Sequence, residues 1–161
     1  MRTVRALRAH RDQTEVMELT ADLDAPCEPE ALFHWVEDLT RYTRWLNLVN
    51  RVEPHTASAD GEPAWTVDLR ATIGPFARTK RLRMVRTVHD APHQVRFVRR
   101  ELDGRDHGSW ELVAGVDAID TGSHLTMTLR YDGRFWGPAL GAILSEEIDR
   151  SRARLSSLVA A

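Results

Sequence analysis

Residues Glu15 to Leu23 alternate, with Met17, Leu19, Ala21 and Leu23 on one side and Glu18, Thr20 and Asp22 on the other. A period of two marks a strand with one wet face, so a first strand is predicted here. Ala25-Pro26 ends it. Pro29 suits the first turn of a helix, where a missing N–H costs nothing, and Glu28 and Glu30 complement the positive end of the helix dipole. Leu32, Phe33, Trp35, Val36 and Leu39 then recur at helical spacing, predicting a helix over Pro29–Leu39, and a second short helix follows through Asp38–Leu46.

From Leu48 the chain becomes strands punctuated by turn residues: Asp60-Gly61, Gly74-Pro75, Asp90-Ala-Pro92, Asp103-Gly104 and Asp120-Thr-Gly122. They separate strands near Leu48–Glu53, Ala64–Ile73, Ala77–Val88, Gln94–Arg100, His107–Val116 and Ser123–Tyr131. Short links between successive strands predict an antiparallel meander. Beyond Asp132-Gly133, Leu140, Leu144, Ile148, Leu155 and Leu158 share one helical face, while Glu146, Glu147, Arg150, Arg152 and Arg154 fall elsewhere. A long closing helix packing its apolar face on the sheet is expected.

Composition narrows the class. With 161 residues, 42% of them hydrophobic, the chain can fill one sizeable core, assigned to residues 15–161. Residues 1–14, with arginines at 2, 5, 8 and 11, read as a solvated basic arm rather than a secretory signal. Lys and Arg number 22 against 24 Asp and Glu, which removes the positive field a nucleic-acid binder needs. The basic run from Arg78 to Arg86 reads as a strand with Arg81 and Arg83 on its wet face. Trp136–Leu144 is short and broken by Gly137, Pro138 and Gly141, so no integral membrane segment is expected. Cys27 is the single cysteine, which excludes an internal disulfide and agrees with the cytoplasm. The pattern says nothing of oligomeric state.

Catalytic signatures are few. His89 and His93 flank a turn containing Pro92, and His34 with Asp38 makes only two ligands, so no metal site is predicted. Asp106-His107-Gly-Ser109 holds the residue types of a triad, but His107 and Ser109 fall along one strand with no acid to orient the imidazole. No phosphate-binding loop, dinucleotide fingerprint or nucleophile elbow occurs, and no cofactor is expected.

Five segments in order carry a family resemblance: Leu23-Asp-Ala-Pro26, the helix Pro29–Leu39, the run Asp38–Trp45, Gly108-Ser-Trp110-Glu-Leu, and Trp136-Gly-Pro-Ala-Leu140. From Glu15 to the C-terminus the chain resembles the START-like superfamily, also called SRPBCC, the polyketide cyclase/dehydrase and lipid-transport group. The resemblance implies an α+β helix-grip fold: a curved antiparallel seven-stranded sheet around a long C-terminal helix, with two short helices after the first strand. It also implies a cavity between sheet and helix for a hydrophobic small molecule, a lipid, polyketide or other aromatic compound.

Alternation assigns the walls of that cavity. Trp65, Val67 and Leu69 share one face of their strand, as do Leu82 and Met84, Phe97 with Val95, and Met127 with Leu129. Leu140 and Leu144 cover them from the helix, Trp45 stands where relatives carry an aromatic residue near the mouth, and Trp110 is assigned inward in preference to Glu111. Lys80, Arg86, Arg99 and Tyr131 are in phase with the apolar positions. An inward Arg86 or Arg99 needs Glu111, another carboxylate or an anionic ligand, unless it sits near a strand end and reaches water. Three functions stay open: a binding protein, an aromatase/cyclase acting on a poly-β-ketone through Arg86, Arg99, Glu111 and Tyr131, or a non-catalytic regulator.

Overall fold

The computed structural model describes residues 3–8, 15–56, 61–132 and 139–160. Its strands are β1 (Thr3–Arg8), β2 (Glu15–Ala25), β3 (Val49–His55), β4 (Ala64–Ile73), β5 (Phe76–Asp90), β6 (Gln94–Arg99), β7 (Trp110–Ile119) and β8 (Gly122–Asp132). Between β2 and β3 lie helix α1 (Pro29–His34) and a 3-10 helix (Leu39–Arg44), and helix α2 (Ala139–Ala160) follows β8. All strands form one antiparallel sheet in the order β1-β2-β8-β7-β6-β5-β4-β3. The predicted α+β helix-grip arrangement is present. The sheet has eight strands rather than seven, because Thr3–Arg8, read from sequence as part of a solvated arm, pairs along β2 from Thr3↔Thr20 to Arg8↔Glu15. Edge pairing of this kind is made by backbone groups and needs no apolar stripe to announce it.

The sheet curls. Strands β2 and β4 stand five strand spacings apart in the sheet order, about 24 Å on a flat sheet at about 4.8 Å per spacing. Yet Leu19 and Leu23 of β2 and Val67 and Leu69 of β4 border one hollow of about 150 Å³, and helix α2 touches both strands.

The two short helices divide at Asp38. Its side chain accepts from the Thr40 N–H at 2.9 Å and the Thr40 hydroxyl at 2.7 Å, capping the 3-10 helix and stopping α1 at His34, short of the predicted Leu39. Carbonyls freed where α1 ends are taken up by aromatic donors: the Tyr42 hydroxyl donates to Val36 O at 2.9 Å and Trp45 Nε1 to Trp35 O at 3.1 Å. Both rings are buried, so one set of contacts closes the helix end and builds the core.

The outer face of the sheet carries cross-strand charge pairs. Arg130 bonds Glu18 at 2.7 Å, Arg96 bonds Glu111 at 2.7 Å, and Arg81 grips Asp68 with two hydrogen bonds of 2.8 and 3.1 Å. Within the basic run Arg81 is held by Asp68, and Arg83 Nη1 donates to Arg100 O at 3.0 Å. Among the described residues no helix is long and apolar enough to cross a membrane.

Candidate functional site

Between the concave face of the sheet and α2 lies a hollow of about 150 Å³. Its floor is Val67 and Leu69 from β4, Leu82 and Met84 from β5, and Trp110 and Leu112 from β7. Leu19 and Leu23 of β2 with Leu125, Met127 and Leu129 of β8 form one side wall. Tyr42 and Trp45 close the other side, and Leu144, Ile148 and Leu155 of α2 form the roof. The walls are apolar because each strand sends alternate residues inward, and the register Leu19↔Leu129, Leu112↔Leu129 and Val67↔Leu82 brings those residues abreast across the sheet.

Nine of the predicted wall residues line this space: Trp45, Val67, Leu69, Leu82, Met84, Trp110, Met127, Leu129 and Leu144. Trp65 and Phe97 are buried but do not line it. Their rings pack edge to face at 5.6 Å, and Phe97 is fully buried, so this part of the inner face is solid core. The Leu140 side chain lies outside the described residues, as do Trp136 to Pro138.

These observations meet the comparisons with known proteins. A model of the family described as polyketide cyclase/dehydrase and lipid transport matches residues 16–160. The chain belongs to that family, within the START-like superfamily. Solved structures agree in fold. A protein from Thermus thermophilus is 18% identical with a TM-score of 0.67, over 89% of this chain and 97% of its own. A START superfamily protein from Mycobacterium smegmatis is 15% identical with a TM-score of 0.62, over 90% and 97%. The di-domain ARO/CYC BexL of the BE-7585A biosynthetic pathway is 14% identical with a TM-score of 0.66, over 91% of this chain and half of its own. No curated protein matches the sequence.

Three of the polar residues considered for cyclase chemistry, Arg86, Arg99 and Glu111, have polar partners of their own within this START-like fold. Arg86 donates from Nη1 to Glu37 O at 2.9 Å and lies over the Trp65 ring at 5.6 Å. Arg99, with only 8% of its side chain exposed, bonds Glu101 at 2.9 Å and Gly108 O at 3.0 Å. Glu111 points to the outer face, where Arg96 and Arg130 hold it, because it alternates with the inward Trp110 and Leu112. Tyr131 is buried with its ring stacked on Trp110 at 5.2 Å, and burial pushes its phenol up. The Lys80 ammonium is pulled down by burial and by the nearby charge of Arg99, against the opposing pull of Asp132 and Glu101. None of Arg86, Arg99, Glu111 and Tyr131 borders the hollow.

Two sequence readings change here. The His107–Ser109 stretch precedes β7, which begins at Trp110. There His107 does have an acid: Nε2 lies 2.8 Å from Asp103 Oδ2, in a loop, with Ser109 outside the pair. Glu147 and Arg152, placed by pattern away from the apolar face of the last helix, both border the hollow. The signal for Glu147 is in the spacing, because Leu144, Glu147, Ile148, Ser151 and Leu155 fall at i, i+3, i+4, i+7 and i+11, a single helical stripe. Tyr42 is a further wall residue that the pattern does not mark. Burial, with the Asp38 carboxylate, raises its phenol far above the ordinary value, so the hydroxyl stays protonated and committed to Val36 O.

The segment bearing Tyr42 and Trp45 is tied to β5 through Glu37. Its carboxylate accepts from His89 Nε2 at 2.8 Å and Arg41 Nη1 at 3.2 Å. Burial acts to raise its pKa, but the hydrogen bonds from His89 and Arg41 outweigh that and hold it below the usual carboxylate value. A depressed folded-state pKa means the stabilisation is complete above about pH 4.3, the unfolded value, and is lost as pH falls through the lower folded one. Glu37→Gln is therefore expected to destabilise at pH 7 and to converge on the wild type as pH drops from about 5 towards 2. Urea unfolding across that range measures it, and a constant difference between the two proteins would refute the linkage.

Proposed function

We propose that this protein binds a hydrophobic small molecule in the hollow between the sheet and α2. The observation that carries the reading is an interior space with apolar walls drawn from separate parts of the chain. A packed core would close such a space, since interiors ordinarily leave few voids larger than water. An engineered apolar cavity of about 150 Å³ stays dry and admits benzene, so the hollow holds about one ring or a short chain, and a larger ligand extends through its open side. Burying roughly 200 Å² of such a ligand contributes about 5 kcal/mol before entropy costs, which supports weak binding. Lipid, polyketide and other aromatic ligands remain within this class. The cytoplasm, as expected from the lone Cys27, is the proposed location.

Binding is favoured over an aromatase/cyclase role or a purely regulatory one. None of the four polar candidates for cyclisation borders the hollow, and Arg86, Arg99 and Glu111 are each bonded to protein groups. The test is titration with N-phenyl-1-naphthylamine, a neutral fluorescent aromatic. Saturable, blue-shifted emission at one site per chain, with quenching of tryptophan fluorescence from Trp45 or Trp110, is expected. Absence of saturable binding would overturn the reading.

A further inference from the structure

One buried carboxylate stands at the border of two spaces. Glu147 borders the apolar hollow and also a polar cleft of about 370 Å³ between α2, the turn at Asn47 and Leu48, and β4. Only 13% of its side chain is exposed. A carboxylate so placed requires hydrogen bonds, and Oε1 accepts from the Asn47 N–H at 3.1 Å and from Arg154 Nη1 at 3.2 Å, while Arg150 Nη1 stands 3.9 Å from Oε2. Arg154 and Arg150 belong to α2 itself, so the bond to Asn47 is the one that crosses the gap. It ties the roof to the turn that carries Leu46 and Leu48, both part of the hollow's wall.

The cleft beyond this bond has a different character. Asn47, Asn50 and Thr72 offer hydrogen-bonding groups, Arg70 on β4 and Arg150 on α2 offer positive charge, and Glu146 and Glu147 keep the α2 side acidic, so an anionic group is favoured on the Arg70 side. Arg70 is exposed, and its guanidinium has no hydrogen-bond or ion-pair partner among the described residues. The two spaces adjoin, with Leu48 and Glu147 bordering both. Alone, the hollow is smaller than the ~300–1,000 Å³ usual for small-molecule sites; joined to the cleft it falls within that range.

We propose that hollow and cleft are two halves of one site for an amphipathic ligand, with Glu147 as the latch between them. A ring or short chain occupies the hollow, and a polar end bearing carboxylate- or carbonyl-type acceptors lies in the cleft against Arg70. Admission requires the Glu147–Asn47 bond to part. This rests on the hydrophobic-ligand reading above and names the class of ligand.

Two probes sharing one ring skeleton test it: neutral N-phenyl-1-naphthylamine and its sulfonated counterpart 1-anilinonaphthalene-8-sulfonate, followed at equilibrium and by stopped flow. Arg70→Met is expected to weaken the sulfonate about 10-fold, the scale of a lost hydrogen bond to a charged group, and the neutral probe less than about 2-fold. Glu147→Ala is expected to speed association of both probes by about 10-fold or more. Should that variant fail to fold, Glu147→Gln, which keeps an acceptor for Asn47 but loses the charge facing Arg154, is expected to accelerate association by a smaller factor. Equal losses for both probes on Arg70→Met, or unchanged association in the folded Glu147 variant, would overturn the divided site while leaving the binding reading intact. Failure of the sulfonate alone to bind the unmodified protein would overturn the divided site, and failure of both probes would remove both readings.

Discussion

Replacing Gly122 with alanine is expected to lower the stability of the protein by about 3 kcal/mol or more, the largest effect of any single methyl group added to it. Gly122 opens β8 at a φ of +142°, where side chains are strained. A Cβ there would sit 2.2 Å from Ala25 O, 2.8 Å from Pro26 Cα and 2.9 Å from Cys27 N. All three are backbone atoms, so none can swing aside. The next residue makes the contact tighter, since Ser123 is fully buried and its hydroxyl donates to Cys27 O at 2.6 Å. Relief therefore means pulling the start of β8 away from the junction between β2 and α1. Gly74 is the control: its φ of +59° is also left-handed, but nothing lies within 4 Å of an added Cβ. Gly74→Ala should cost only about 1 kcal/mol. Urea unfolding of both variants reads the difference, and equal losses would show that crowding at Gly122 is relieved by motion elsewhere.

Filling the hollow should abolish ligand binding before it abolishes folding. Leu69 and Met84 lie on the adjacent strands β4 and β5 and both face the space. An indole at either position occupies much of 150 Å³. Leu69→Trp or Met84→Trp is expected to reduce affinity for N-phenyl-1-naphthylamine by at least about 10-fold, at a stability cost of about 1–3 kcal/mol from overpacking. Phe97→Trp, in the solid part of the inner face, carries the same packing cost without touching the hollow. If it weakens the probe as much as the other two, the ligand does not occupy the space described.

The strand boundaries are readable because a half-buried strand advertises itself every second residue and turn residues bound it. β4 begins and ends where the pattern places it, and the other predicted strands differ by a few residues at their ends. His107 to Ser109 is the exception, where alternation continues past the true start of β7. The inward assignment of Trp110 follows from its alternation with Glu111, and the structure places Trp110 at the hollow with Glu111 among outer-face arginines. The edge strand β1 is not readable in the same way. Its pairing uses backbone groups, which every sequence possesses.

The limit of sequence is clearest at the site. Alternation decides which face a residue takes, and so it determined the apolar lining, the two short helices under Pro29 and Asp38, and the packing of a long amphipathic helix on an antiparallel sheet. It treats Trp65 and Val67 alike, because both point inward. The tertiary structure decides that Val67 faces open space while Trp65 meets Phe97, and that Glu147 stands beside Asn47, 100 residues earlier in the chain. Whether facing surfaces touch or stand apart depends on the curvature of the whole sheet and the seat of α2 across it, which are sums over many distant contacts and have no local period to be read.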